Sequence, residues 1–261
     1  NIFTNKLFTN EHSILVVVAF PCHKSDTDVL TKSDLALAGG RTVSQNIAFL
    51  HGLTLGELAR YYNGAYGLGC DLTVIPMEGW ERSMLWQDCG LPFVKPSPNL
   101  PTPASILVYN GTCMLAGTNA TEGRGTTTPF TTVGAPYINP LELADALDAL
   151  HLDGLRFSPT HFIPAFSKYQ GTVCGGVDIH VTDPRALRAV SLGLHLIRTL
   201  QALYPGDFAF RAPAAPDGRW HIDLSTGNDT LRTTQRSAAE IYAAWQTDAA
   251  SFQEETLLYR L

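Results

Sequence analysis

"HGLTLGELARYYNG", residues 51–64, is the stretch on which the fold class turns. Thr54 stands where a helix cap would, and Glu57, three residues on, can reach back to the cap's own N–H in a capping box. A helix is therefore predicted to open here, with Gly64 as its stop. Upstream, "ILVVVAF" (14–20) is an apolar, β-branched run of strand length; downstream, "LTVI" (72–75) within "CDLTVIPMEGW" reads as a second strand. Strand, helix and strand at this spacing predict a βαβ unit, and so a parallel sheet of α/β character.

Beyond that unit, "KPSPNLPTP" (95–103) carries four prolines in nine residues. It cannot be helix or central strand, which makes it the connection between two subdomains. "SILVY" (105–109) then reads as a strand. "NPLELADALDALH" (139–151) offers Asn139 as cap, Pro140 at the first helical position and Glu142 at the capping-box site, with Leu141, Ala144, Leu147 and Leu150 at helical spacing. "GGVDIHVTD" (175–183) alternates Val177, Ile179 and Val181 with Asp178, His180 and Thr182, the pattern of a strand with one wet face. Asp183 and Pro184 should open a long helix that ends before Tyr204, and two more helices are expected over 237–246 and 251–259, the first with Ser237 and Glu240 as a capping box.

With 261 residues, 45% of them hydrophobic, the chain can bury a substantial core. Its formal net charge of −6 has the wrong sign for neutralising phosphates or anionic lipid head groups, so neither nucleic acid nor a membrane is an expected partner. The apolar run at 14–20 is far short of the roughly 20 residues that span a bilayer, and no basic segment precedes it as in a signal peptide. Cys22, Cys70, Cys89, Cys113 and Cys174 show neither a C-x-x-C pair nor zinc-like spacing to histidine. Free thiols are expected, and neither metal nor cofactor. There is no phosphate loop ending in Gly-Lys-Ser/Thr, no complete Gly-x-Gly-x-x-Gly, no His-Glu-x-x-His and no Gly-x-Ser-x-Gly.

The chemistry concentrates in "GTNATEGRGTTTPF" (117–130), where Glu122 and Arg124 are the only charges. Glycines 117, 123 and 125 let backbone approach a ligand, and Asn119 and Thr126 add hydrogen-bonding groups of both polarities. There Glu122 could move a proton or bind sugar hydroxyls, and Arg124 could hold a carboxylate through a two-pronged pair. Equally, the two charges could satisfy each other in a tight turn. His51 lies just before Gly52 at a strand-to-helix turn, the kind of position that lines the crevice of open α/β sheets. Glu57 is already explained by capping. Ser97 and Asn99 in "PSPN" form a stiff connector or a rigid wall of a cleft, and His180 stands on the polar side of its strand, at the surface or in a cleft. Lys168 and Tyr169 read as ordinary loop polarity. The catalytic candidates are thus Glu122 and His51; those for substrate binding are Arg124, Asn119, Asn99, Ser97, Thr126 and His180.

In this order "HGLTLGELA", "PSPNLPT", "GTNATEGRGTTTPF", "GAP" (134–136) and "CGGVDIHVTD" resemble the NamZ-type exo-β-N-acetylmuramidases, bacterial glycoside hydrolases of peptidoglycan turnover. The resemblance runs from about His51 to the C-terminus. It implies a partial Rossmann-like α/β subdomain over 1–103, an α+β auxiliary domain over 104–261, and an active site between them. It also implies release of N-acetylmuramic acid from the non-reducing end of peptidoglycan-derived saccharides, at the cell wall or outside the cell. Arg124 would then face the lactyl carboxylate, with Asn119 near the acetamido group. Members usually carry a Pro-Glu-His-Gly motif in a longer N-terminal half, and an Asp-Arg-Pro-Asn-Pro segment where this chain has "AFPCHKS" (19–25); the first motif does not occur in these residues. Glycoside hydrolysis normally uses two carboxyl groups, about 5–5.5 Å apart for retention or about 6.5–9.5 Å for inversion, though a substrate acetamido can replace one. Only Glu122 is offered here. The expectation is either an enzyme of low activity by itself, or a non-catalytic carbohydrate-binding or assembly module from the same family.

Overall fold

The computed structural model describes residues 28–37, 41–213, 215 and 218–261. The strand expected at 14–20 and the "AFPCHKS" segment lie outside them. In chain order the elements are β1 (Asp28–Leu37), β2 (Arg41–Leu50), α1 (Leu55–Ala65), α2 (Pro103–Thr112), β3 (Thr132–Ala135), α3 (Pro140–Asp148), β4 (Leu155–Phe162), β5 (Cys174–Val181), α4 (Ala189–Leu203), α5 (His221–Thr226), α6 (Thr230–Thr233) and α7 (Ala238–Glu255). They fall into two compact units, Asn1–Val94 with Trp245–Leu261, and Lys95–Ala244.

In the first unit β1 and β2 pair antiparallel, with Asp28 opposite Leu50 and Leu37 opposite Arg41. Thr54 caps α1 as the sequence predicts: its N–H donates to Glu57 Oε2 at 2.7 Å, and its Oγ1 accepts the Glu57 N–H at 3.2 Å. The buried face of α1 brings Tyr61 against Phe252 and Ala249 of α7 and against Leu53, with Leu58, Tyr62 and Tyr259 around them. Tyr61 meets Phe252 and Tyr259 edge-on, each at a centroid distance of 5.4 Å. Burying side chains of this size stabilises by about 1.5–3 kcal/mol each. Residues 72–75 are irregular rather than a strand, and Ile75 is 57% exposed. Without that strand, and with both sheets antiparallel, the described residues do not contain the predicted parallel βαβ unit.

The second unit is built on a three-stranded antiparallel sheet in the order β3-β5-β4. Ala135 pairs with Gly175 at one edge, and Leu155 with Val181 at the other. The predicted alternation in β5 holds, since Val177 and Ile179 are buried while His180 is exposed. Helix α3 lies on β4 and β5, and α4 packs on both α3 and α2. Asn139 Oδ1 caps α3 by accepting the N–H groups of Leu141 and Glu142; the Glu142 carboxylate, expected in a capping box, instead accepts the Tyr204 hydroxyl at 3.0 Å.

Three other expectations change. Residues 105–109 are not a strand but part of α2: Thr102 Oγ1 accepts the Ser105 N–H at 3.1 Å, Pro103 sits in the first turn, and Val108 is buried on a helix that packs against α4 while Ile106 is exposed. At that crossing a Cβ on Gly111 would collide with the Ala189 carbonyl, so glycine sets the helix separation. Asp183 Oδ1 does accept the N–H groups of Arg185 and Ala186, but this closes a turn, and α4 starts only at Ala189. The two helices expected over 237–259 are one continuous α7 followed by a 3-10 turn at Leu257–Tyr259, capped as predicted by Ser237 and Glu240.

Candidate functional site

Glu122 is placed by a short antiparallel bridge. Thr121 N–H donates to Gly134 O at 2.7 Å and Gly134 N–H donates back at 3.0 Å, fixing the residue before Glu122 to the end of β3. The Phe130 N–H then donates to Glu122 O at 2.7 Å, closing residues 122–130 into a loop. Inside it Thr126 Oγ1 donates to Gly123 O at 2.7 Å and accepts the Thr128 N–H at 3.2 Å. Gly125, at φ +91°, lies so close to the backbone of Phe166 that a Cβ would strike it, and its carbonyl accepts the Ala165 N–H at 2.8 Å.

The Glu122 side chain is 2% exposed and faces two cations. Lys168 Nζ lies 3.1 Å from Oε2, and Arg124 Nε lies 3.3 Å from Oε1, within ion-pair reach but outside hydrogen-bond alignment. Lys168 Nζ also donates to Leu115 O and Ala120 O, both at 2.7 Å, so its three protons are committed. Burial pushes the Lys168 pKa down, against the pull of Glu122. The Arg124 guanidinium lies 5.4 Å from the centroid of Phe130, which Tyr109 meets edge-on at 4.7 Å. Its terminal nitrogens have no hydrogen-bond partner among the described residues, and the side chain is 39% exposed. Cys113 feels both charges of the pair, and burial pushes its thiol up to about 12.

Other predicted residues are placed differently. Asn119 is an internal staple: its Oδ1 accepts the Ala209 N–H and the Tyr137 hydroxyl, each at 3.0 Å, and its Nδ2 donates to Asp207 O at 2.7 Å. Ser97 Oγ accepts the Asn99 N–H at 3.3 Å in a local turn, while the Asn99 side chain makes no hydrogen bond among the described residues. His180 Nε2 lies 2.6 Å from Ser158 Oγ on the exposed face of the sheet. His51 belongs to the first unit, where its Nδ1 accepts the Leu53 N–H at 3.1 Å and burial depresses its pKa despite the nearby Glu57 carboxylate. Glu57 is held by Arg82 and by the Leu261 N–H as well as by its cap. Glu122, Arg124 and Thr126 therefore share one loop.

Sequence reasoning missed Lys168, Tyr169 and His221. No residue pattern announced the first two; in the structure Ser167 and Tyr169 adopt left-handed φ values of 73° and 58° on either side of Lys168. That backbone turns the lysine inward, and the Tyr169 hydroxyl donates to Asn119 O at 2.6 Å. His221 opens α5, and its pKa is lowered by burial and then by Arg211 and Lys168. Nothing in the sequence around 221 announces that neighbourhood. Among the described residues no group of three or more His, Cys, Asp and Glu side chains could hold a metal ion.

Residues 38–104 match the family model of the N-terminal part of exo-β-N-acetylmuramidase NamZ, and residues 107–261 match that of its C-terminal part. The chain belongs to the NamZ family. Within it, the peptidoglycan β-N-acetylmuramidase NamZ of Bacillus subtilis (strain 168) is 46% identical over 187 residues, which are 72% of this chain and 44% of that relative. Two crystal structures of DUF1343 family proteins from Bacteroides fragilis share the fold, at 29% identity with a TM-score of 0.78 and at 26% with 0.63. Each comparison covers 95% of this chain and 66% of the other. The chain thus spans less than half the length of its NamZ relative and about two thirds of each solved structure. The Glu122 loop falls within the C-terminal NamZ match and His51 within the N-terminal one.

Proposed function

We propose that this chain acts in peptidoglycan turnover as a muramidase-type glycosidase, releasing N-acetylmuramic acid from the non-reducing end of wall fragments at or outside the cell wall. In this reading residues 104–261 form the auxiliary domain that reads the sugar. Family membership supports the substrate class. The observation that carries the reading is the Arg124 guanidinium, whose Nε lies within ion-pair reach of Glu122 and which sits over Phe130 while its terminal nitrogens have no partner among the described residues. A guanidinium with one end beside a buried carboxylate and the other end open is suited to a further carboxylate, and the lactyl group distinguishes muramic acid from N-acetylglucosamine. Glu122 acts as a substrate-positioning group, holding Arg124 in place.

One observation favours the second reading, a carbohydrate-binding module without turnover: both Glu122 oxygens already face cations and its side chain is 2% exposed. Two measurements separate the readings. Release of product from a chromogenic β-N-acetylmuramide supports the hydrolase, whereas calorimetric binding of N-acetylmuramic acid without turnover supports the module. Arg124→Ala should abolish the preference for N-acetylmuramic acid over N-acetylglucosamine, and a preserved preference removes Arg124 from recognition in either case.

A further inference from the structure

We infer that Lys168 is a positioning residue that makes the Glu122–Arg124 pair an anion receptor, by taking up the charge of Glu122 so that Arg124 keeps its own. This rests on the reading that Arg124 receives a carboxylate. An isolated Arg–Glu pair is neutral and has little attraction for a second carboxylate, whose approach to Glu122 is repulsive. Here one buried acid faces two cations, at 3.1 Å and 3.3 Å, leaving a formal charge of +1 on the three groups. The division of labour between them is geometric. Lys168 spends all three protons inside the protein, on Leu115 O, Ala120 O and Glu122 Oε2. Arg124 spends no terminal nitrogen among the described residues and is the more exposed, at 39% of its side chain against 16% for Lys168. The lysine therefore sets the charge, and the arginine presents it.

The segment carrying Lys168 is tied down to hold that arrangement. Ala165 N–H donates to Gly125 O at 2.8 Å, one residue beyond Arg124, and the Tyr169 hydroxyl donates to Asn119 O at 2.6 Å, so residues 165–169 are fastened across the loop on both sides of the lysine. The left-handed Ser167 and Tyr169 are the backbone cost of that crossing. Arg211 adds a further positive charge near Lys168, in keeping with a site of net positive sign.

The test compares calorimetric affinities of the full chain for N-acetylmuramic acid and N-acetylglucosamine, expressed as a ratio. Lys168→Met leaves Glu122 to claim Arg124, and the ratio should fall about tenfold, the scale of one charge-assisted contact. Lys168→Arg, which keeps the charge, should restore most of it. The decisive variant is the double Glu122→Gln/Lys168→Met, which removes acid and lysine together and leaves Arg124 charged; its ratio should return to within about threefold of wild type. A lysine that only holds the loop together would make the double variant worse than either single one, and that result overturns the inference. Should Lys168→Met not fold, the double variant alone decides, by keeping or losing the preference. If Arg124→Ala removes the preference and Lys168→Met retains it, this inference fails while the reading of Arg124 stands. A wild-type chain with no preference overturns both.

Discussion

Glu57 Oε1 accepts the backbone N–H of Leu261 at 2.8 Å, joining positions 204 residues apart within the first unit. The same carboxylate caps α1 through Oε2 and pairs with the Arg82 guanidinium, and Arg60 Nη1 donates to Arg260 O at 3.5 Å beside it. A residue that the sequence marks only as a cap partner therefore also anchors the last turn of the chain. Glu57→Gln retains shape but loses charge and turns one of the two acceptor oxygens into an NH2 donor, so either the Thr54 N–H or the Leu261 N–H and Arg82 lose their acceptor. It should cost about 2 kcal/mol, against about 1 kcal/mol for Thr54→Ala, which removes only the reciprocal cap. Urea titration of both variants checks this, and a Glu57→Gln midpoint equal to wild type would reduce Glu57 to a cap partner.

The parts of this fold that were legible in the sequence are those decided locally. The caps at Thr54, Asn139 and Ser237 depend on side chains reaching backbone two or three residues away, and β5 declares itself by alternation because one of its faces is wet. The failures have separate causes. Residues 105–109 of α2 form a short apolar run in which Val108 is buried and Ile106 is 36% exposed, too short to tell a helical stripe from a strand, and the cap at Thr102 lies inside the proline-rich segment that reads as a connection. Strand β4, with Pro159 in its middle, carries the residue that argues most strongly against a strand; as the edge of the β3-β5-β4 sheet it tolerates the missing N–H. In the site, Glu122 and Arg124 were visible as two charges in a small-residue loop. Lys168 was not, since its role depends on meeting a loop 46 residues earlier in sequence.

Gly125 tests whether the Lys168 segment and the Glu122 loop are one structural piece. Its φ of +91° disfavours any side chain, and an added Cβ would strike the Phe166 carbonyl. Gly125→Ala should destabilise the second unit by about 3 kcal/mol and lower affinity for N-acetylmuramic acid by displacing Lys168 from Glu122. Thermal unfolding with parallel calorimetry reads both. Unchanged stability would mean that the two segments move independently.

Asn119 supplies the contrast between holding the site and touching the ligand. Its carboxamide oxygen is saturated by Ala209 N–H and the Tyr137 hydroxyl, and its amide group donates to Asp207 O. Asn119→Ala leaves these polar groups without partners and should cost about 2 kcal/mol. The ratio of affinities for N-acetylmuramic acid and N-acetylglucosamine should stay at its wild-type value, since no charge is altered. A variant of wild-type stability with a changed ratio would return Asn119 to the sugar-contacting set.

His51 makes the first unit sensitive to mild acid. Burial is the main cause of its depressed pKa, with Glu57 opposing, and its Nδ1 can accept the Leu53 N–H only while that nitrogen is unprotonated. The unfolded chain therefore takes up the proton first. The contribution of His51 to stability is complete above the ordinary histidine value of 6.5 and is lost as pH falls through the folded value below it, with a slope of at most about 1.4 kcal/mol per pH unit. His51→Asn keeps an acceptor in the Nδ1 position and cannot titrate. Its melting temperature should fall less steeply than that of wild type between about pH 7 and pH 5, while His221 in the second unit, whose pKa is also lowered, accounts for slope that remains. Melting curves that run parallel for wild type and His51→Asn across that range would show that His51 is accommodated equally well in both protonation states.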